Sequence, residues 1–439
     1  MYISPQRMNI VQLTPGAGAM YCGNCLRDNA LIARFRKKGH QGLMLPLYLP
    51  LTLDEEDLSG DKPIFFGGIS VYLEQKFPWM QKMPEWMHRF LRSRKLLKLA
   101  AGKAAATRPE QVGDLTLSML RGEEGNQKRE LNELVDYLKT HENPDIICLS
   151  NAMLVGMAKE LREKLRVPIL CMLQGEDDFL DALPEKERIL AWEILRERSG
   201  HVDRFVAPTR YFAEKMSQRM GLEDHRISII PNGLNPDGFK KSESSNKITI
   251  GYFARMCKEK GLDILVDAYI QFMETEANPD VDLHIGGSCG PSDKKLVGSL
   301  MHKLKDAGLD HRVSLFPNLS KEEKQKFFSK ISIFSVPARY SEAFGLYLLE
   351  AMSSGVPCLQ PSVSGFEELV AENEAGWCYG ENTATNLATT LSKIMTQKQE
   401  LEDKGLNGLK ALDSKFHIDI VAEKYLNLFS ECRALHSSD

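Results

Sequence analysis

The sequence predicts an α/β protein of two Rossmann-like domains facing each other across a cleft. Three observations predict it. Short apolar runs alternate with helical patterns in strand, helix, strand order from Met8 onward. The alternation stops at a polar break, Lys240 to Lys247, and then begins again. A chain of 439 residues makes about two or three domains, each able to bury its own core.

The first domain opens on the apolar run Met8 to Pro15, which enters a glycine-rich turn, Gly16-Ala17-Gly18. A helical pattern (Leu26, Ala30, Leu31, Ala33, Phe35) follows and stops at Gly39-His40, before a second run, Leu43 to Leu49. That spacing is βαβ. Ile146 to Leu149, Val167 to Met172 and Arg204 to Ala207 read as further buried strands. The second sheet draws on Ile248 to Phe253, Val281 to Ile285, Val313 to Phe316, Ile331 to Val336 and Pro357 to Gln360. The boundary is expected near Pro231 to Phe239, giving a first domain over 1–233 and a second over 234–417. A last helix, 418–435, is expected to return to the first domain. Two such sheets favour a ligand at the carboxyl ends of their strands, between the domains.

Composition narrows the function. Hydrophobic residues make up 43% and charged residues 26%, and the net charge of -4 gives no wholesale attraction to nucleic acid or anionic lipid. Nine cysteines, an odd number scattered from Cys22 to Cys432, argue against a disulfide framework and for a reducing cytoplasm. No secretory signal and no apolar run of ~18 residues is present, so a soluble intracellular chain is expected.

The second half carries the chemistry. In Ser341 to Met352, Glu342 and Glu350 stand eight positions apart around an apolar, helix-forming interval. A helix starting near Phe344 would separate them by ~12 Å along its axis, about the reach of a sugar-nucleotide. The helix N-terminus suits the diphosphate between the ends. Glu350 can accept both ribose hydroxyls, and Glu342 hydroxyls of the transferred sugar. The bland alternative is a pair of solvated glutamates on a helix face. After the strand Ile248 to Phe253, Arg255 offers a fork to phosphate oxygens and Lys260 a point charge. Gly355-Val356-Pro357 and Ser364 to Glu368 add turns and acids near the same sheet edge.

These residues resemble the retaining family-four (group 1) glycosyltransferases of the GT-B fold. The resemblance rests on Ile230-Pro231-Asn232-Gly233, Arg255 to Gly261, Glu342-Ala343-Phe344-Gly345 with Glu350-Ala351-Met352, Gly355-Val356-Pro357 and Gly365 to Glu368. It implies that Arg255 and Lys260 bind the donor diphosphate and Glu350 the ribose. It implies also that Glu342, with the amides of Phe344, Gly345 and Leu346, holds the sugar and distal phosphate. In the first half, Gly23 takes the place of a glycine whose missing side chain lets the backbone approach the donor phosphate. One departure stands out. Gln174, in Leu173-Gln174-Gly175-Glu176-Asp177, falls where the family usually has a histidine, and glutamine cannot relay a proton. Cys148-Leu149-Ser150-Asn151 also lacks the histidines many members carry.

Rival signals are weaker. Tyr21 stands where a dinucleotide fingerprint needs its third glycine, which argues against a dehydrogenase. Tyr21-Cys22-Gly23-Asn24-Cys25 looks like a redox motif opening a helix, against small structural residues under a phosphate. Asp280-Val281-Asp282 matches the metal motif of the other large glycosyltransferase fold but sits in the wrong fold. None of the ten histidines has convincing metal spacing. Trp79 to Lys103 is basic and aromatic-rich, which suits an anionic membrane surface or an acidic lipid-linked acceptor; the alternative is a helix packed on the first domain.

The sequence thus predicts a metal-independent glycosyltransferase that uses a nucleoside diphosphate sugar as donor substrate and no cofactor. The acceptor is unknown, with a lipid-linked molecule or a glycan as candidates. Localisation is expected to be cytoplasmic, on the inner face of the membrane if 79–103 binds it. Rivals are an epimerase or hydrolase of the same fold and a non-catalytic sugar-nucleotide sensor, the last motivated by Gln174.

Overall fold

The computed structural model describes residues 7–16, 23–49, 58, 64–66, 112–241, 247–275, 280–340 and 342–436. It falls into two compact units, one drawn from residues before 232 and after 420, the other from 232–420. The segment Trp79 to Lys103, Tyr21 and Cys22 lie outside the described residues. Among the described residues no helix is long and apolar enough to cross a membrane.

The first unit begins β1 (Asn9–Thr14), α1 (Gly23–Lys37), β2 (Gln41–Pro46). It continues through α2 (Gly113–Leu120), α3 (Lys128–Tyr137), β3 (Ile146–Leu149), α4 (Ala158–Leu165) and β4 (Ile169–Met172). Then come α5 (Glu176–Asp181), α6 (Glu185–Arg198), β5 (Arg204–Ala207), α7 (Arg210–Met220) and β6 (Ile227–Ile229). The sheet order is β2-β1-β3-β4-β5-β6, parallel at every pairing. Parallel strands are covered on both faces, which is why they read as near-continuous apolar runs; every residue of β3 and β4 is buried. β4 starts two residues later than the apolar run from Val167, because Pro168 has no N–H for a ladder. The Pro168 carbonyl still accepts from the Ile147 amide at 3.1 Å.

The second unit holds β7 (Ile248–Phe253), α8 (Leu262–Thr275), β8 (Val281–Gly287), α9 (Lys294–Asp306), β9 (Val313–Pro317) and α10 (Lys321–Phe328). After it come β10 (Ile333–Phe334), α11 (Leu346–Ser353), β11 (Cys358–Pro361), β12 (Gly376–Tyr379), α12 (Ala384–Ile394) and α13 (Lys398–Ala411). Its order, β12-β11-β10-β7-β8-β9, is again all parallel. β10 is shorter than the apolar run around it, yet Ser332 and Ser335 extend its bonding to β7 at 2.8 and 2.9 Å.

The last helix, α14 (Ile418–His436), passes from one unit to the other, with residues after 420 in the first. There Phe429 meets Phe35 edge-on, ring centroids 5.5 Å apart, both fully buried. Each such aromatic contributes about 2–3 kcal/mol of burial. Arg433 adds a bond to Asp145 at 3.0 Å. A half-exposed ion pair of that kind contributes little beside the aromatics.

Candidate active site

In the order β12-β11-β10-β7-β8-β9 the connections reverse direction between β7 and β10. An open parallel sheet forms its ligand crevice at the carboxyl ends beside such a reversal. Two chain segments meet there, 254–261 after β7 and 337–340 after β10. Several bonds lock them. The Tyr252 hydroxyl donates to the Arg255 carbonyl at 2.8 Å. The Met256 and Arg339 amides donate to the Ser288 and Glu259 carbonyls, each at 2.9 Å. Gly261 has φ +70°, and a Cβ there would stand 1.8 Å from the Pro337 carbonyl oxygen, so only glycine fits. A hollow of about 390 Å³ opens beside them, lined by Lys258, Glu259, Asp263, Arg339 and Tyr340. A roomier hollow of about 570 Å³ lies on the first unit, with Asp181, Trp192 and Arg219 bonded to one another. Neither hollow is lined by a sequence-predicted site residue.

The structure gives the two predicted phosphate cations different partners. Arg255 bonds Asp293 at 3.0 and 3.2 Å and Ser292 Oγ at 3.4 Å, with Asp293 buried and Arg255 itself exposed. Donating to Asp293 raises the guanidinium pKa further. Lys260 instead pairs with the Glu342 carboxylate and lies 4.8 and 5.5 Å from the ring centroids of Tyr340 and Tyr347. Burial works to lower the Lys260 pKa, but the charge of Glu342 and then Tyr340 outweigh it and raise it. The Tyr347 hydroxyl donates to Glu342 Oε2 at 3.1 Å. Burial, then the Glu342 charge, pushes the Tyr340 phenol up to about 12. Both phenols therefore stay protonated donors at neutral pH.

Glu342 does not lie on the helix. α11 begins at Leu346, two residues later than the expected start at Phe344, so the ~12 Å axial spacing does not apply to the two glutamates. Phe344 is buried against Phe416, ring centroids 6.2 Å apart, and Gly345 turns the chain with φ +88°. No side chain caps this helix end, and the first N–H groups of an α-helix have no intrahelical partner. The amides of Gly345 and Leu346 stand at that end. Glu350 lies on α11 and pairs with Lys324 of α10 at 2.8 Å. The two glutamates thus belong to two different lysines.

In the first unit, Gln174 is half-buried in the turn between β4 and α5. Its amide donates to Glu176 Oε2 at 2.6 Å, while Glu176 Oε1 accepts from the Ala152 amide at 3.0 Å. Glu176 therefore ties the ends of β3 and β4 together. Burial pushes its carboxyl up to about 7, against the pull of those backbone bonds. Asp177 is buried and pairs with Lys215. Beneath them Arg27 and Asp28, both buried, bond each other and Ser150. Gly23 opens α1 and is exposed. Cys25 is buried with its sulfur 3.9 Å from Thr14 Oγ1, the place of a small packed residue. Asp280 and Asp282 pair with Lys247 at 3.6 and 2.7 Å, and Asp280 also with Arg312 at 2.9 Å. Among the described residues no three His, Cys, Asp or Glu gather as metal ligands.

Sequence reasoning missed Asp293, Lys324, Tyr340, Tyr347 and the Arg27–Asp28 pair. One signal was present for Lys324. It stands three and four residues before Phe327 and Phe328, on the buried stripe of its helix, where a cation needs a partner. No local pattern marks the others.

Comparisons with known proteins bear on the family and the fold. Residues 236–410 match the model of glycosyl transferases group 1, and residues 107–237 that of glycosyltransferase family 4. The chain belongs to the group 1 glycosyltransferases and has the GT-B fold. It is similar to the exopolysaccharide phosphotransferase of Streptomyces coelicolor, 27% identical over 241 residues, which are 54% of this chain and 24% of that one. The chain spans from about a quarter to about two thirds of the length of the curated relatives it matches. Among solved structures, sucrose-phosphate synthase from Thermosynechococcus elongatus superposes with a TM-score of 0.71 at 16% identity, over 98% of this chain and all of that one. The Anabaena protein HepE in complex with UDP and glucose superposes with a TM-score of 0.65 at 17% identity, over 97% and 100%.

Proposed function

We propose that the protein transfers a hexose-type sugar from a nucleoside diphosphate donor to an acceptor hydroxyl, with retention and without a metal. The observation that carries this is the meeting of Lys260, Glu342 and the uncapped start of α11 where the second sheet reverses direction. A diphosphate needs cations and N–H groups; a sugar needs a fixed carboxylate. In this reading Lys260, Arg255 and the amides of Phe344, Gly345 and Leu346 hold the diphosphate. Glu350 accepts the ribose hydroxyls, Glu342 accepts from the transferred sugar, and Gly23 leaves room for the phosphate. As the acceptor oxygen bonds the anomeric carbon, the bond from that carbon to the phosphate oxygen breaks. The phosphate oxygen takes the acceptor's proton, and its charge is stabilised by cations already in place. Gln174 orients a hydroxyl by hydrogen bonds and moves no proton.

UDP-glucose is the first donor to try, since HepE is seen with UDP and glucose. A thermal-shift screen over a panel of sugar nucleotides identifies the donor, because a ligand of the native state raises its stability. Turnover with added glycan and lipid-linked acceptors then tests transfer. Donor hydrolysis or epimerisation without a glycosylated product would replace the proposal, and tight binding without turnover would make the protein a sensor. The basic segment 79–103 motivates an acceptor at a membrane. Salt-reversible cosedimentation with anionic and not neutral vesicles is the expected result, since exposed charge is screened.

A further inference from the structure

We propose that Lys324 is the positioning residue for nucleotide recognition: it holds the Glu350 carboxylate in the orientation that reads a ribose diol, and so makes the site selective for ribo- over 2′-deoxyribonucleoside diphosphates. The inference rests on the reading of Glu350 as the ribose contact.

Helix α10 carries an irregularity. The helix starts on a complete capping box, Ser320 with Glu323, which fixes its first turn. Its buried residues are Lys324, Phe327 and Phe328, so a lysine occupies the core-facing stripe. Phe327 and Phe328 pack on Phe253 with ring centroids 5.2 and 5.4 Å away, holding the helix firmly on the sheet. Lys324 is 8% exposed overall, which is costly for an ammonium without a counter-charge. Its Nζ lies 2.8 Å from Glu350 Oε1.

The consequence for Glu350 is chemical. An ionised carboxylate offers about four lone-pair sites, and a protonated one gives up part of that acceptor capacity to an O–H. A ribose diol presents two O–H donors and needs the ionised form. Glu350 is itself largely buried, its side chain 15% exposed. The Lys324 ammonium occupies one site on Oε1, leaving the remaining sites for hydroxyls. Ser353 donates to the Glu350 carbonyl at 2.7 Å and steadies the backbone that carries it.

The test is calorimetric titration of the full chain with UDP and 2′-deoxy-UDP, and with GDP and 2′-deoxy-GDP. The wild type is expected to bind the ribo form about ten-fold more tightly, the value of a hydrogen bond to a charged group. Lys324→Met should bring that ratio close to one while leaving the deoxy ligand's affinity nearly unchanged, a pattern that general loss of packing does not produce. If Lys324→Met does not fold, Lys324→Gln, which keeps a donor and loses the charge, reads the same ratio. Glu350→Ala separates the two claims. A ratio abolished by Glu350→Ala and retained in the Lys324 variant overturns this inference alone. A ratio retained in Glu350→Ala, a wild type without preference, or a wild type that binds none of the four overturns the ribose reading and this inference with it.

Discussion

Lys260 and Glu342, 82 positions apart in sequence, form an ion pair whose carboxylate also accepts from Tyr347. Each is the other's counter-charge in the unliganded site. In the proposed function a diphosphate arriving at Lys260 would replace one anionic partner with another, so that the ammonium keeps a counter-charge. The same exchange would free lone pairs on Glu342 for sugar hydroxyls and couple binding to positioning through one side chain.

Replacing Lys260 or Arg255 by alanine should each lower turnover by at least about 100-fold, the usual loss when a charge-stabilising contact to a transition state is removed. The two differ in stability. Lys260→Ala leaves Glu342 largely buried without its cation and should cost a few kcal/mol. Arg255→Ala removes a cation that is itself exposed but leaves the buried Asp293 with the Gly290 amide at 3.0 Å and the Ser292 hydroxyl at 3.4 Å, and should cost a smaller amount on a thermal melt. Wild-type turnover in the Arg255→Ala, Lys260→Ala double mutant would end the assignment.

Tyr347→Phe deletes only the hydroxyl that orients Glu342. We expect turnover to fall about ten-fold with the donor Kd changed less, since a hydrogen bond to a charged group is worth about 1.5–3 kcal/mol. Steady-state kinetics beside donor titration measure the split. An unchanged kcat would mean that Lys260 alone holds Glu342.

Gln174→Ala should lose activity through lost positioning, and Gln174→Glu through an unwanted charge. Gln174→Ala should neither introduce nor remove a titration near neutral pH in the rate profile, because glutamine does not ionise. An unimpaired Gln174→Ala enzyme would shift attention to Glu176 or Asp177 as the acceptor contact.

Glu176 predicts a pH dependence of stability. Its carboxyl is raised from 4.5 to about 7 by burial, so the folded state binds its proton more tightly than the unfolded chain does. The stability this contributes is complete below about pH 4.5 and is lost as pH rises through about 7, on the order of 3 kcal/mol in all. Denaturant unfolding between pH 5 and 8 should therefore show a downward slope with pH that Glu176→Gln removes. Identical slopes in the two proteins would rule out this origin.

Much of this molecule is determined by local sequence. Ile146–Leu149, Arg204–Ala207 and Ile248–Phe253 are strands with the bounds their apolar runs suggest, because a parallel strand covered on both faces leaves its burial in the sequence. Strand ends carry Arg255 and Lys260 for the same reason. β6 and β12 left no such trace: they are edge strands, with Ile229 48% exposed and Trp377 and Cys378 half-buried. Tertiary structure alone decided which carboxylate meets which cation. Local spacing pairs Glu342 with Glu350 along one helix. The fold instead seats Glu342 ahead of α11 beside Lys260 and turns Glu350 toward Lys324. The physical reason is that helical period encodes which face is buried, whereas ion pairs between distant segments depend on strand order and on a left-handed turn at Gly345.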